Sequence, residues 1–133
     1  MEPRELIKTD RMNRITAMAL EAEAKYLGVG TMDGKVKLYG PGSGRLVCTL
    51  SKTEDDSQST ALRFSYSTHH LTLVRANGLI EHWDTANQSL VHTNSEHLAS
   101  GNSLRCLDYT SDQTHYAVGG KDKNVYLYDA NTM

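Results

Sequence analysis

Two glycine-rich stretches are the first features of this sequence that could do chemistry. Residues 40–44 read Gly-Pro-Gly-Ser-Gly, a composition found in loops that hold phosphate. The stretch lacks the Lys-Ser/Thr ending and the following helix that such a loop needs. A similar run at 30–35 lacks the same spacing. We therefore expect both to be turns between strands.

The six histidines could hold a metal ion if several of them converged. His69 and His70 are adjacent, but neighbouring residues of a strand or turn point in different directions. His82 falls in an apolar strand, and the other histidines stand apart in sequence. Cys48 and Cys106 lack the tight spacing of a structural zinc site. The sequence predicts no metal, no cofactor and two reduced cysteines.

Residue patterns for covalent or acid–base catalysis are also missing from the sequence. It contains no Gly-x-Ser-x-Gly turn, no HExxH helix and no paired acids of a cleft. The acidic run at 54–56 is typical of a solvated loop. Because Ser51, Thr53 and Ser57 stand beside it, a phosphorylation site is the alternative. The sequence predicts that the chain is not an enzyme.

Composition and charge narrow the class of protein. The chain has 133 residues, 38% hydrophobic and 23% charged, with a formal net charge of -2. These values are typical of a soluble domain and disfavour a nucleic-acid partner. No apolar run reaches the ~18 residues of a membrane helix, and the N-terminus lacks the apolar core of a signal peptide. We expect a cytoplasmic protein without a membrane partner, with the nucleus, cytoskeleton or cilium as alternative locations.

An internal repeat supplies the elements that would position any functional residue. Three aromatic residues, Tyr39, Trp83 and Tyr128, are separated by 44 and 45 positions (83 − 39 = 44; 128 − 83 = 45). The same two offsets relate further sets, so the chain contains three tandem copies of one unit. The sets are Met18, Leu62 and Leu107; Leu20, Phe64 and Tyr109; Val29, Leu73 and Val118; Asp33, Asn77 and Asp122; and Val36, Ile80 and Val125.

Each copy contains short runs of β-branched and aromatic residues broken by Asp, Asn and Gly, which is typical of β-hairpins. Residues 15–27 are the exception, because Ala, Leu, Met and Glu favour a helix there. This stretch aligns with 59–71 and 104–116, whose composition favours strands. The alignment therefore predicts strands at 15–27 as well, with tertiary context overriding local propensity.

The repeat resembles that of the WD40 family. The resemblance covers residues 5–133 and implies an all-β fold of WD40-type β-propeller blades, three of them, each four-stranded and antiparallel. The implied repeats span approximately 14–50, 58–94 and 102–133, with 4–10 as a preceding outer strand. The dipeptides that carry the resemblance close the third strand of each unit, and they are Trp83-Asp84, Tyr128-Asp129 and a degenerate Tyr39-Gly40.

The sequence departs from the family at one position. Family repeats carry a Gly-His pair before their first strand, and the histidine position here falls on Arg11, Asp55 and Ser100. The resemblance therefore implies that the family's internal histidine hydrogen-bond network is absent or broken. His97 stands three residues too early and could fill the role only through a shift of its loop.

The number of blades leaves two alternatives open. Propellers have about four to eight blades, so three repeats cannot close a ring. The chain is either a fragment of a longer propeller, which we favour, or half of a strand-exchanged six-bladed ring made by a homodimer. In the second case the outer strand at 4–10 completes the last blade of the other copy.

The resemblance implies a non-catalytic protein–protein interaction scaffold or adaptor, whose partners are other proteins. Alternatives are a propeller-based enzyme with a channel site, a nucleic-acid binder, and a fragment of a larger cytoskeletal, ciliary or ubiquitin-ligase protein. Binding residues concentrate on loops of a rigid scaffold, and the resemblance implies that those loops form one rim here. Arg75, Lys121 and Lys123 would form a basic patch there for an acidic or phosphorylated segment. The full set of candidate rim residues is Arg11, Arg14, Lys35, Arg75, Lys121 and Lys123.

Overall fold

Strands account for nearly all regular structure in the computed structural model, which describes residues 3–9, 12–23, 25–50, 57–65 and 70–132. Within those ranges the chain forms eleven strands and one short helix. They are β1 (Ile15–Leu20), β2 (Leu27–Thr31), β3 (Val36–Tyr39), β4 (Leu46–Leu50), β5 (Ser59–Ser65), β6 (His70–Arg75), β7 (Ile80–Asp84), β8 (Ser89–Asn94), α1 (Glu96–Ser100), β9 (Leu104–Tyr109), β10 (His115–Gly120) and β11 (Val125–Asp129).

The strands form three antiparallel sheets, one for each repeat. Blade 1 has the order β1-β2-β3-β4, blade 2 the order β5-β6-β7-β8, and blade 3 the three described strands β9-β10-β11. Blade 2 packs between the other two through the first strand of each blade. The arrangement is an open, partial β-propeller, which confirms the predicted fold class.

Strand β1 lies in the segment whose composition favours a helix. It pairs with β2 from Ile15 opposite Thr31 to Leu20 opposite Leu27. Strand β2 is already paired on its other edge with β3, so β1 adds to an existing ladder. Pairing and packing therefore override the helix propensity of these residues, as the alignment predicted.

Two seams between blades hold most of the core. Seam 1–2 buries side chains from the second and third strands of blade 1 against blade 2, including Val36, Leu38, Leu62 and Trp83. Seam 2–3 repeats the arrangement one blade later. Its buried apolar members are Val74, Ile80, Leu104, Leu107, Tyr116 and Val118. Equivalent repeat positions therefore occupy equivalent places in the two seams.

The outer strand predicted at 4–10 is not formed within residues 3–9, which enter no ladder. Arg4 Nη2 instead donates a hydrogen bond to the carbonyl of Gly42, at 3.1 Å. Gly44 also faces this segment, because a Cβ there would lie 2.6 Å from the carbonyl oxygen of Leu6. The segment therefore lies over the turn between β3 and β4, away from the free edge of β11. An outer strand of this kind pairs with the last blade of a closed propeller. The outer strand at 4–10 therefore stays a prediction for a closed ring.

Candidate functional site

One rim of the propeller carries the candidate residues, and the same hydrogen bond builds it in all three blades. A side-chain oxygen in the segment before each blade's first strand accepts the backbone N–H of the turn after its second strand, at 3.0–3.2 Å. The accepting side chains are Asn13, Ser57 and Asn102, and the donating amides belong to Asp33, Asn77 and Asp122. Each turn is therefore tied to the segment beside it.

This bond follows the repeat register, although our sequence analysis missed it. The accepting positions are separated by 44 and 45 residues (57 − 13 = 44; 102 − 57 = 45), as the aromatic residues are. Asn, Ser and Asn share a side-chain oxygen at the right distance from the backbone. That shared chemistry at one register position was the signal available in the sequence.

The acids of these turns are held as anions. Burial works to raise the pKa of Asp33, but hydrogen bonds from the Thr31 hydroxyl and the Lys35 amide, with nearby lysine charge, lower it below its ordinary value. A hydrogen bond from the Tyr126 hydroxyl, then one from the Asn124 amide, lowers the pKa of Asp122. Both carboxylates thus serve to shape their turns.

Four of the six predicted rim residues are exposed in the structure. Arg14 and Lys35 are exposed on the rim of blade 1, and Lys121 and Lys123 are exposed on the rim of blade 3. None of the four makes an ion pair within the part of the chain that the structure describes. Arg11 lies outside the described residues.

The prediction of a surface role for Arg75 is wrong, because this side chain is only 1% exposed. Its guanidinium pairs with Glu81, which is fully buried, with Nη2 2.8 Å and Nε 2.9 Å from Oε1. Nη1 donates to the carbonyls of Gly34 and Ser57, so Arg75 joins blade 2 to blade 1. The basic patch is therefore reduced to Lys121 and Lys123.

His97 restores a histidine network in blade 3 that the sequence alignment placed in doubt. Helix α1 brings this side chain to a buried position beside the rim, 2% exposed. Asn102 Oδ1 accepts from the Asp122 amide, so Asn102 Nδ2 faces His97 Nδ1 at 3.1 Å and donates to it. His97 Nε2 then carries the proton and donates to the Tyr128 hydroxyl, at 2.8 Å.

This network corrects the expectation that the histidine interactions are broken throughout. In the third repeat the loop shift does occur, because α1 takes up the three extra residues between His97 and the expected position at Ser100. The equivalent positions of the first two repeats, Arg11 and Asp55, lie outside the described residues.

His82 anchors a second polar cluster, inside seam 2–3. Its Nδ1 lies 2.9 Å from the Thr72 hydroxyl, which lies 2.6 Å from the Tyr109 hydroxyl. Its Nε2 lies 3.2 Å from the Tyr116 hydroxyl. Burial, with charge from His92 and His70, lowers the pKa of His82 to about 4, so the ring is neutral at pH 7. His82, Thr72 and Tyr116 are buried and Tyr109 is half-buried, so the geometry of the cluster supports packing.

Two further searches of the described residues bear on function. No group of three or more His, Cys, Asp or Glu side chains is placed to hold a metal there. No described helix has the length and apolar character needed to cross a membrane. Cys48 and Cys106 are free cysteines, the first half-buried and the second exposed.

Comparison with known proteins agrees with this architecture. The family model described as "Vps8 beta-propeller" matches residues 5–132. Among solved structures, a chain of the "Crystal Structure of Mitotic Checkpoint Complex" is similar with a TM-score of 0.81 and 24% sequence identity, over 95% of this chain and 37% of that one. Such identity shows the fold alone, and the present chain spans little more than a third of that chain. Comparison with curated proteins finds no match.

Proposed function

We propose that this chain, which belongs to the Vps8 β-propeller family, is a non-catalytic scaffold that acts in the cytoplasm and binds another protein through its rim. Propeller folds are typical of interaction scaffolds, but fold alone does not assign a function. The observation that supports this proposal is the rim itself. In every blade the same hydrogen bond fixes the turn after the second strand. The exposed basic side chains of the rim extend into solvent.

Lys121 and Lys123 are the residues that we expect to contact the partner. They flank Asp122, whose carboxylate is occupied by hydrogen bonds from Tyr126 and Asn124. Neither lysine has an ion-pair partner among the described residues, so both ammonium groups are available to a ligand. A rigid turn lowers the entropy lost on binding, since its backbone is already ordered.

The ligand chemistry that fits this site is a phosphorylated or acidic peptide segment. A groove of about 400 Å³ opens beside Lys121, and its lining also includes Asn102, Asp122 and Tyr126. Ammonium groups at the groove's edge would attract phosphate or carboxylate oxygens, and the groove would accept peptide backbone. The mitotic checkpoint structure that this chain resembles contains a propeller within a multi-protein complex, which is consistent with a protein partner.

A titration with a synthetic phosphoserine- and glutamate-rich peptide tests this proposal. We expect Lys121→Glu with Lys123→Glu to weaken binding about tenfold or more, because two attractive charges become repulsive. Lys25→Glu with Arg45→Glu is the matched control, since both residues are exposed and belong to the turns between β1 and β2 and between β3 and β4. Among the described residues, Lys25 pairs with nearby Glu23. Equal losses in both variants would indicate nonspecific charge attraction and contradict the rim site.

A further inference from the structure

The first strands of the three blades, β1, β5 and β9, form the inner wall of the propeller. Strand β5 packs against both of the others, so the blades converge at these strands. Each first strand pairs within its blade along one edge, and its other edge faces the central channel that propeller blades surround. The openness of this inner wall therefore belongs to the propeller architecture. A groove of about 320 Å³ crosses the wall and is lined by Thr16, Gln58, Ser59, Thr60 and Arg105.

Two hydroxyl groups of this groove are buried without a partner. Ser59 is fully buried, and neither its Oγ nor Thr16 Oγ1 has a hydrogen-bond partner in the part of the chain that the structure describes. Both hydroxyls converge on Gly30 of β2, where a Cβ would clash with Ser59 Oγ and lie 3.4 Å from Thr16 Oγ1. Because a buried hydroxyl without a partner is destabilising, this pair needs an acceptor that the described residues do not supply.

Seam 2–3 shows the same repeat positions in a satisfied arrangement. Thr60 is the equivalent of Thr16 (60 − 16 = 44), and its hydroxyl donates to the carbonyl of Leu104 at 2.7 Å. Leu104 is in turn the equivalent of Ser59 (104 − 59 = 45), and its fully buried side chain is apolar. Seam 1–2 therefore has a hydroxyl where packing is served by leucine, and its threonine lacks the equivalent bond. The packing of the blades does not account for Ser59.

Arg105 adds a positive charge to the groove. Its side chain is exposed and forms no ion pair with the described residues, and the groove lining described above contains no acidic residue. By contrast Arg63, the neighbouring arginine of the inner wall, pairs with Asp108 at 3.4 Å. One uncompensated guanidinium and two hydroxyls that need acceptors define the ligand as an anion with several acceptor oxygens.

We propose that this groove binds a phosphate group of a small molecule. A carboxylate has two oxygens, and the fork of a guanidinium takes both of them, which leaves the hydroxyls unsatisfied. A phosphate that pairs with Arg105 keeps further oxygens for Ser59 and Thr16. The groove volume of about 320 Å³ lies at the lower end of the range of about 300–1,000 Å³ for small-molecule sites, which fits a compact ligand. The site does not include Lys121 or Lys123, so it is independent of the proposed rim partner.

Titration of the 133-residue chain with inorganic phosphate at constant ionic strength tests the proposal. We expect the backbone amide signals of Ser59 and Arg105 in ¹H–¹⁵N spectra to shift and to saturate as the phosphate concentration rises. Arg105→Gln should weaken the affinity about tenfold or more, because its charge-assisted hydrogen bonds are lost. Acetate, titrated in the same way, supplies a carboxylate and should bind more weakly than phosphate.

Ser59→Ala separates ligand binding from structural packing. The variant removes a hydroxyl that has no described partner, so the midpoint of thermal unfolding without phosphate should stay the same or rise. Its affinity for phosphate should nevertheless fall about tenfold, since a hydrogen bond to a charged ligand is lost. A lower midpoint with unchanged phosphate affinity would show that Ser59 serves only the seam, and would overturn the proposal.

Arg63→Gln is the matched control, because it removes one charge from the same inner wall at a residue that does not line the groove. Its affinity for phosphate should match that of the wild type. Equal losses in Arg63→Gln and Arg105→Gln would indicate general charge attraction and contradict the site. A shift that grows linearly with phosphate and never saturates would also overturn the proposal, as would an acetate affinity equal to that for phosphate.

Discussion

The two seams are built from equivalent repeat positions but differ in chemistry. Seam 1–2 is apolar through its centre, where Leu38 packs, with one buried ion pair at its rim end. Seam 2–3 places His82 at the position of Leu38 and surrounds it with hydroxyl groups. The repeat register therefore determines where a side chain points, whereas the chemistry of a seam can vary. Each buried polar group then needs a hydrogen-bond partner, since an unpaired one is destabilising.

The largest effect should come from breaking the ion pair of seam 1–2. Arg75→Met leaves the Glu81 carboxylate buried without its cation, and we expect the free energy of unfolding to fall by about 3–5 kcal/mol. Urea unfolding followed by circular dichroism measures this loss. The double variant Arg75→Met with Glu81→Leu should recover much of it, because no charge then stays buried. A double variant as unstable as the single one would contradict this account.

Because of His82 in seam 2–3, we expect the free energy of unfolding to fall as the pH is lowered. The pKa of His82 is about 4 in the folded chain and about 6.5 when unfolded, so the unfolded state binds the extra proton first as pH falls. The stability that neutral His82 contributes is therefore complete above about pH 6.5 and declines towards pH 4, by up to about 3 kcal/mol.

The variant His82→Leu, which copies Leu38 of seam 1–2, isolates this contribution. Its free energy of unfolding should fall less steeply between pH 6.5 and 4 than that of the wild type, when both are measured by urea unfolding at each pH. All other titrating groups are the same in the two proteins. Parallel pH profiles would show that His82 does not titrate as its burial requires.

The smallest expected losses of stability come from the rims of blades 1 and 3, and they should differ between the two rims. Asn102 is buried and joins His97 to the Asp122 turn, so Asn102→Ala should lower the free energy of unfolding by about 2 kcal/mol. Asn13 accepts the equivalent bond from the Asp33 amide, but its Nδ2 donates to the exposed Asp33 carboxylate, and Asn13→Ala should lower the free energy of unfolding by less than about 1 kcal/mol. Thermal unfolding of both variants checks the ranking, which equal losses would contradict.

The fold could be predicted from the sequence in more detail than the site. The repeat register followed from the spacing of Tyr39, Trp83 and Tyr128. It correctly predicted that β1 is a strand, although the propensity of its residues favours a helix. The rim positions of Lys121 and Lys123 were expected from the resemblance to the WD40 family, and both side chains are exposed. The predicted surface position of Arg75 was wrong, although this residue also lies next to a turn. Its burial depends on the Glu81 carboxylate of the neighbouring strand and on the backbone carbonyls of Gly34 and Ser57.

By itself, the sequence determined the repeat, the strands and the side-chain positions that correspond from one blade to the next. These properties depend on local periodicity, since side chains alternate along a strand and matching positions recur every 44 or 45 residues. Only the tertiary structure decided that Arg75 is buried, that α1 delivers His97 to Tyr128, and that His82 is held neutral among hydroxyl groups. Those outcomes depend on groups distant in sequence that meet only when the blades pack, and burial then sets both their partners and their charge.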